Sequence, residues 1–404
     1  MKWVSFIAGP DDCGSGEDGF KNALVELCGK VKEELGDKPV NLLLGFVAIN
    51  FKEYFELVPE IIQKEISPDT FIGCSAGGLI GGGLEIEHKP SIVLTAAYLP
   101  GVEVNSFYLQ DKELPDLDDS QESWYNLVGV TPLKEPSFIM LPEPFSFNTD
   151  VLIKGLDFAF PNSVKVGGLA SGAMNALENG LFLNDKVYGS GLVGVSLDGN
   201  VIVDSVVAQG CKPVGDKFVI TKCNKSILFE LDGEPAVMAL KRVIDKLSET
   251  EKELIKDSVF LGIVMNEMKE SFEAGDFLIR NIIGIEPKSG ALVVGEKLDN
   301  QKTVQFHVRD AATSADDLRL MLKSYKEREL MGGQIKASGA LLFSCLGRGA
   351  YLYSRSNHDS DCFRSYLGEV PIGGFFCNGE IGPVGESTFL HGYTSSFGIF
   401  RSRS

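Results

Sequence analysis

The chain has 404 residues, with 38 basic against 56 acidic side chains and a formal net charge of −18. That balance repels nucleic acid and anionic membrane, and no basic run interleaved with aromatics offsets it, so a nucleic-acid partner is set aside. Hydrophobic residues at 44% and charged residues at 23% are ordinary for a globular protein, and no stretch approaches the ~18 apolar residues of a membrane span. Eight cysteines lie scattered without a CxxC pair, which reads as reduced thiols in an intracellular compartment. The expected location is the cytoplasm, or an organelle if a transit peptide has been removed.

The first residues, with Asp-Asp, Gly-Ser-Gly and a proline, read as irregular. Phe20, Leu24, Leu27, Val31 and Leu35 then recur at helical spacing, which predicts an amphipathic helix over 19–35. Leu42–Ile49 is an apolar strand, Tyr54–Ile66 a helix, and Phe71–Gly83 (FIGCSAGGLIGGG) a glycine-rich turn before the strand Pro90–Leu99. The acidic segment Asp111–Ser123 predicts a solvated connection. Ser137–Leu141 and Asp150–Phe160 read as strand and helix, followed by VGGLASG at Val166–Gly172. Gly189–Val207 predicts two strands joined as a hairpin at Asp198-Gly199-Asn200. Val219–Glu230 is a strand, while Glu234–Leu247 and Glu251–Lys256 are helical by composition. Ser314–Glu329 opens with a capping-box pattern, Ser314 and Asp317, and closes with Lys and Arg, which suits the helix dipole. The strand Ala340–Leu346 and the helix Asp359–Leu367 precede PIGGFFCNGEIGPVGESTFLHGYTSSFGIF, Pro371–Phe400, read as strand Ile372–Phe376, a glycine turn and strand Phe389–Phe400.

Laying Gly81 on Gly382 pairs Gly73 with Gly374, Gly78 with Gly379 and Ile80 with Ile381, and the elements upstream of the two turns come in the same order. The expectation is an α/β fold of two related halves built from β-α-β-(Gly turn)-β units, with sheets flanked by helices. A third copy is centred on Val166–Gly172, and the weakest signals place a fourth over Val259–Gly284. The domain boundary is expected near residue 215 or 232, giving 18–215 and 216–404.

Several residues could carry chemistry. Four histidines, 88, 307, 358 and 391, share no metal-ligand spacing, so no metal is expected. No cofactor is predicted either, with haem held by one axial nitrogen, His391 for choice, as the alternative. GCSAG places Ser75 between Gly73 and Gly77, as in a nucleophile elbow, with Cys74 beside it, but a hydrolase of that kind would place an acid and then a histidine later, and the HGGG-type loop is missing. At the second turn Cys377, Asn378, Gly379 and Glu380, with His391 after them, bring groups of both polarities to open backbone. Arginine or loop N–H groups could take a carboxylate and Glu380 an ammonium, with Arg280 or Arg348 nearby. Arg280-Asn281, inside the apolar run FLIRNIIGI, is either an anion-binding group or half of an internal ion pair. Equally, Glu380 could hold its turn for folding alone.

IGCSAGGLIG resembles the signature of the N-terminal FIST domain, and FLIRNIIGIEPKSGALVVGE with NGEIGP resembles the C-terminal FIST domain. The resemblance runs from about residue 20 to 400, and the ending is most similar to cyanobacterial and plastid-lineage members. Gly78-Leu79 departs from the usual Gly-Glu, whereas Gly379-Glu380 keeps it. The resemblance implies an intracellular sensory module for a small ligand such as an amino acid, without catalysis of its own, acting through a separate signalling partner. It leaves haem-based gas sensing as an alternative reading, and an enzyme using Cys377, Cys74 or Ser75 as another. The residues before Gly19 are too few for an F-box.

Overall fold

The computed structural model describes residues 1–131, 134–257, 259–331 and 336–403. The chain is α/β, with its sheets flanked by helices. It separates into two compact units: Met1–Val207 with Arg319–Leu390 and Thr394–Ser404, and Ala208–Leu318 with His391–Tyr393.

The first unit holds three six-stranded sheets with one strand order. Each begins with an outer strand, Lys2–Ala8, Val102–Leu109 or Ile202–Ala208. Next come Ile92–Tyr98, Leu192–Gly199 or Ser395–Arg401, and then the central strand, Leu42–Ala48, Ser137–Pro142 or Gly339–Cys345. The central strand runs parallel to Phe71–Ala76, Lys165–Gly168 or Ile372–Cys377. These parallel strands are buried along almost their whole length, which is why they read as continuous apolar runs. Helices Gly16–Leu35 and Leu57–Glu65 serve the first copy, Gln121–Val128 and Thr149–Ala159 the second, Ala311–Met331 and His358–Leu367 the third. The first helix buries Phe20, Leu24, Leu27, Val31 and Leu35, the stripe its periodicity predicts.

The kinship of the N-terminal and C-terminal halves is there in the register. Gly73 lies opposite Gly45 and Gly374 opposite Leu342, and the second copy, centred on Val166–Gly172, repeats the arrangement with Gly167 opposite Met140. A Cβ at Gly73, Gly167 or Gly374 would stand 1.9 Å from the carbonyl oxygen of Gly45, Met140 or Leu342. The shared glycine is thus a steric requirement of the parallel pair.

After the turn each copy gives its hairpin to another copy. Gly78–Gly81 with Leu84–Glu87 joins the third sheet beside Ile372–Cys377. Leu181–Leu183 with Lys186–Tyr188 joins the first sheet beside Phe71–Ala76. Glu380–Val384 with Ser387–His391 joins the second beside Lys165–Gly168. This exchange corrects two expectations. Asp198-Gly199-Asn200 is no hairpin: Leu192–Gly199 pairs with Val102–Leu109 and Ser137–Pro142, while Ile202–Ala208 neighbours Ser395–Arg401. Gly199, at φ +100, turns the chain from one sheet to the next. Likewise Phe389–Phe400 is not one strand, because Ser387–His391 and Ser395–Arg401 belong to different sheets.

The second unit is an antiparallel sheet in the order Cys211–Asn224, Thr303–Arg309, Val259–Val264, Phe277–Glu286, Ala291–Val294, Ile227–Leu231, Glu234–Pro235. Cys211–Asn224 also pairs with Ile227–Leu231, so the sheet closes on itself. Val259–Val264 pairs directly with Phe277–Glu286 in antiparallel fashion, so no fourth β-α-β copy exists over Val259–Gly284. The helix expected from Ser314 starts at Ala311 instead. The Asp310 carboxylate receives the Thr313 amide at 3.0 Å as its cap, and the Ser314 hydroxyl donates to the Gly210 carbonyl at 2.6 Å.

Candidate functional site

The third copy gathers a buried polar cluster where its two parallel strands end. Cys345 and Cys377 are opposite one another at those ends. The Leu346 amide donates to the Cys377 carbonyl at 3.0 Å and the Arg348 amide to that of Cys345 at 2.8 Å, so a tight turn carries Arg348 back under the strands. Glycine at 379 lets the chain reverse into Glu380–Val384, and a Cβ there would meet Leu169 and Leu390 at 2.9 Å.

Glu380 is wholly buried. Its Oε1 receives the Cys377 thiol at 3.3 Å, and its Oε2 receives the Thr394 amide at 3.2 Å and hydroxyl at 2.8 Å. Burial pushes its pKa up to about 7 against the pull of these donors and of the Arg348 charge. Cys377 is raised well above the usual thiol value by burial and by Glu380, so it stays a thiol.

Arg348 is also wholly buried. Its Nε donates to Asp359 Oδ2 at 3.0 Å, and its Nη2 to Asp359 Oδ1 at 3.3 Å and the Tyr353 hydroxyl at 2.6 Å. Nη1 meets no hydrogen-bond partner. Burial opposes the Asp359 charge, but Arg348, His358 and Ser395 outweigh it and hold that carboxyl far below the usual range. His358 Nδ1 lies 2.8 Å from Asp359 Oδ1, and its ring stacks on Tyr353. Glu85, from the hairpin lent by the first copy, receives the Ser360 amide at 2.7 Å. Its pKa is pushed up to about 8 by burial and by Asp359. The site therefore sets a buried carboxyl poised near neutrality in the field of a buried guanidinium whose Nη1 has no hydrogen-bond partner.

Of the residues singled out in the sequence, this cluster unites Arg348, Cys377, Gly379 and Glu380, with Asn378 exposed at the turn. His391 is buried at the end of Ser387–His391. Gly73, Cys74 and Ser75 lie in the first copy's strand. Cys74 is fully buried and raised well above the usual thiol value by that burial. The Ser75 hydroxyl donates to Asn179 Oδ1 at 3.2 Å and receives the Gly180 amide at 3.1 Å. The chain continues from Ser75 into another strand, Gly78–Gly81, rather than a helix, so the elbow geometry is not formed. Arg280 and Asn281 belong to the second compact unit. There Arg280 Nε donates to Glu296 at 2.7 Å, and Asn281 Oδ1 receives the Tyr393 hydroxyl at 2.5 Å. Of the two alternatives open for Arg280 in the sequence, an anion-binding group or half of an internal ion pair, the structure shows an ion pair, with a glutamate, Glu296, as its acid.

Sequence reasoning missed Asp359, His358, Tyr353, Thr394 and Glu85. Their separation along the chain leaves no spacing to read; only the crowding of polar letters in Asn357-His358-Asp359-Ser360 hinted at a special helix start. Among the described residues, no three His, Cys, Asp or Glu are arranged to hold a metal ion, and no helix is long and apolar enough to cross a membrane.

Known proteins resemble the chain along most of its length. Residues 41–234 match the FIST N domain and residues 236–383 the FIST C domain. An uncharacterised protein of Mycobacterium tuberculosis is 34% identical over 382 residues, covering 94% of this chain and 96% of its own. An F-box/LRR-repeat protein of Arabidopsis thaliana is 22% identical over 461 residues, covering 97% of this chain and 84% of its own.

Proposed function

We propose, from the premise that the chain belongs to the FIST family, that it is a sensory protein which binds a small zwitterion such as an amino acid at the third glycine turn. FIST domains are generally small-ligand-binding domains of signal transduction. What supports the finer reading is one juxtaposition: buried Glu380, near neutrality, in the field of buried Arg348 with Nη1 unused. Arg348 would take the ligand carboxylate and Glu380 its ammonium, with Cys377 and Asn378 at the turn. Arg280 and Asn281, in the other unit, are not needed for this pairing. The reading requires no resident cofactor or metal and hands its output to a separate signalling protein. It also requires no catalysis, since burial keeps Cys74 and Cys377 as thiols, poor nucleophiles near neutral pH.

An ammonium drawn to Glu380 would force it to ionise. Calorimetry of a panel of free amino acids, in buffers of different ionisation enthalpy, is expected to find binding that releases about half a proton at pH 7. Glu380→Gln is expected to weaken that binding at least tenfold and abolish the proton release while leaving the melting temperature unchanged or higher. Unchanged affinity with a lowered melting temperature would mean that Glu380 serves the fold and the pocket lies elsewhere.

The same carboxyl gives a pH prediction that needs no ligand. Its folded pKa of about 7 exceeds the ordinary 4.5, so the folded state holds a proton that the unfolded chain has lost. Stability from this group is present below about pH 4.5 and falls as pH rises toward 7, by about 3 kcal/mol at most. Glu380→Gln should make that part of the profile shallower in urea titrations run at each pH, leaving the share that Glu85, pushed up to about 8, contributes over the same range. A wild-type slope retained in the variant would assign it to another group.

A further inference from the structure

We propose that the first and third copies together form a second ligand site, apart from the Glu380 cluster, which takes a small carboxylic acid with an apolar body. A cavity of about 280 Å³ lies where the outer strand Lys2–Ala8 passes two other elements. These are the turn Gly82-Gly83 of the lent hairpin and the helix His358–Leu367 of the third copy. That volume falls just under the ~300 Å³ at which drug-sized pockets begin, so it suits one ring with a short arm. Phe6, Phe363, Val370 and Ile372 supply its apolar wall.

The polar part of the lining offers donors. Trp3 and Ser360 line the cavity at 2% and 1% exposure, and neither Trp3 Nε1 nor Ser360 Oγ makes a hydrogen bond among the described residues. Ser360 Oγ stands close to the Glu85 carboxylate, whose Oε1 already receives the Ser360 amide at 2.7 Å. The indole N–H is then the donor left to a ligand. It can only donate, and a buried donor left unmade is costly, so it calls for an acceptor. Arg364 adds the charge. Its guanidinium lies against Gly83, where a Cβ would stand 1.8 Å from Nη2, so only glycine, at φ +81, leaves the bay that holds it. Its contact with Glu369 is long, 3.7 Å from Nε to Oε2, and both side chains are exposed, so a ligand carboxylate displaces it at little cost. Glu34, the other carboxylate of the lining, is held by Lys2 at 2.9 Å. Donors without acceptors beside an apolar wall are the recognition of an organic acid: the guanidinium takes the carboxylate in a forked pair and the wall takes the body.

The test uses the full chain with phenylacetate, and with phenylacetamide and 2-phenylethylamine as the neutral and cationic counterparts. Calorimetry is expected to find one phenylacetate bound per chain, with the amide about tenfold weaker and the amine weaker still. The chain has two indole N–H signals in a proton–nitrogen correlation spectrum, and Trp3→Phe or Trp124→Phe assigns them. The Trp3 signal should move downfield with phenylacetate while that of Trp124 stays. Arg364→Gln, a change at an exposed side chain, should weaken phenylacetate about tenfold and leave the melting temperature unchanged. The inference does not rest on the amino-acid reading of the Glu380 cluster: Arg364→Gln should leave any amino-acid binding there untouched, so the two ideas fail separately. Lack of saturable phenylacetate binding, binding that leaves the Trp3 signal in place, an amine that binds more tightly than the acid, or full affinity in Arg364→Gln would each overturn the proposal.

Discussion

Gly374→Ala is expected to abolish the folded state of the three-copy unit, although it adds a single methyl group. The new Cβ would lie 1.9 Å from the Leu342 carbonyl oxygen and 2.8 Å from its carbon. Those are backbone atoms of a central strand whose neighbours on both sides fix its position. A flexible side chain could swing away; a paired backbone cannot without parting the strands. The cost should exceed the ~1–3 kcal/mol of ordinary overpacking and reach roughly 4 kcal/mol or more, a large share of a typical domain stability of about 5–15 kcal/mol. Gly73→Ala and Gly167→Ala should behave alike, since each meets the same clash at 1.9 Å. Gly29→Ala, in the exposed side of the helix Gly16–Leu35 with nothing within 4 Å, is the control and should gain about 0.5–1 kcal/mol. The two tryptophans, Trp3 and Trp124, both lie in this unit, so their fluorescence in urea follows the relevant transition. A Gly374→Ala protein with a wild-type midpoint would show that Gly374 does not face Leu342 at this register.

These glycines also explain what could be read from the letters. A requirement as local as a Cβ clash leaves a local mark, so Gly73, Gly167 and Gly374 announced their copies, and the helical stripe from Phe20 to Leu35 announced its face. Strand pairing between copies leaves no such mark. Leu79 in the lent hairpin meets Phe375, far away in sequence, and nothing near either residue says so. The Asp-Gly-Asn signal at 198–200 called correctly for a turn but could not say which strands it would part. The site suffered in the same way. Glu380 and Cys377 were legible because they share one turn, whereas Asp359 reaches Arg348 from a helix and Ser395 reaches Asp359 from a third strand. Convergence of this kind is a property of the sheet order, which the letters do not carry.

The Arg348–Asp359 pair is the second place where one substitution should be decisive, and pH gives it a signature of its own. Both side chains are at most 3% exposed, so neither charge has water to fall back on. Arg348→Met would leave Asp359 buried without its cation, at an expected cost of about 3–5 kcal/mol. Arg348→Met with Asp359→Leu removes both charges and should cost clearly less than the sum of the single changes. In the wild type the folded pKa of Asp359 is depressed below the ordinary 3.8, so the pair's contribution is present above that value and is lost as pH falls below it. Without Arg348 the desolvation is opposed only by the hydrogen bonds from His358, Ser395 and Ser344, and the folded pKa is expected to rise above that of the unfolded chain. Acid should therefore rescue the Arg348→Met variant, its urea midpoint climbing as pH drops from 7 toward 5, a range over which the Asp359 of the wild type contributes no slope. A pure packing defect would lower the midpoint equally at every pH. An Arg348→Met profile parallel to the wild type would mean that the guanidinium fills space beneath the strands and that its charge is dispensable to the fold.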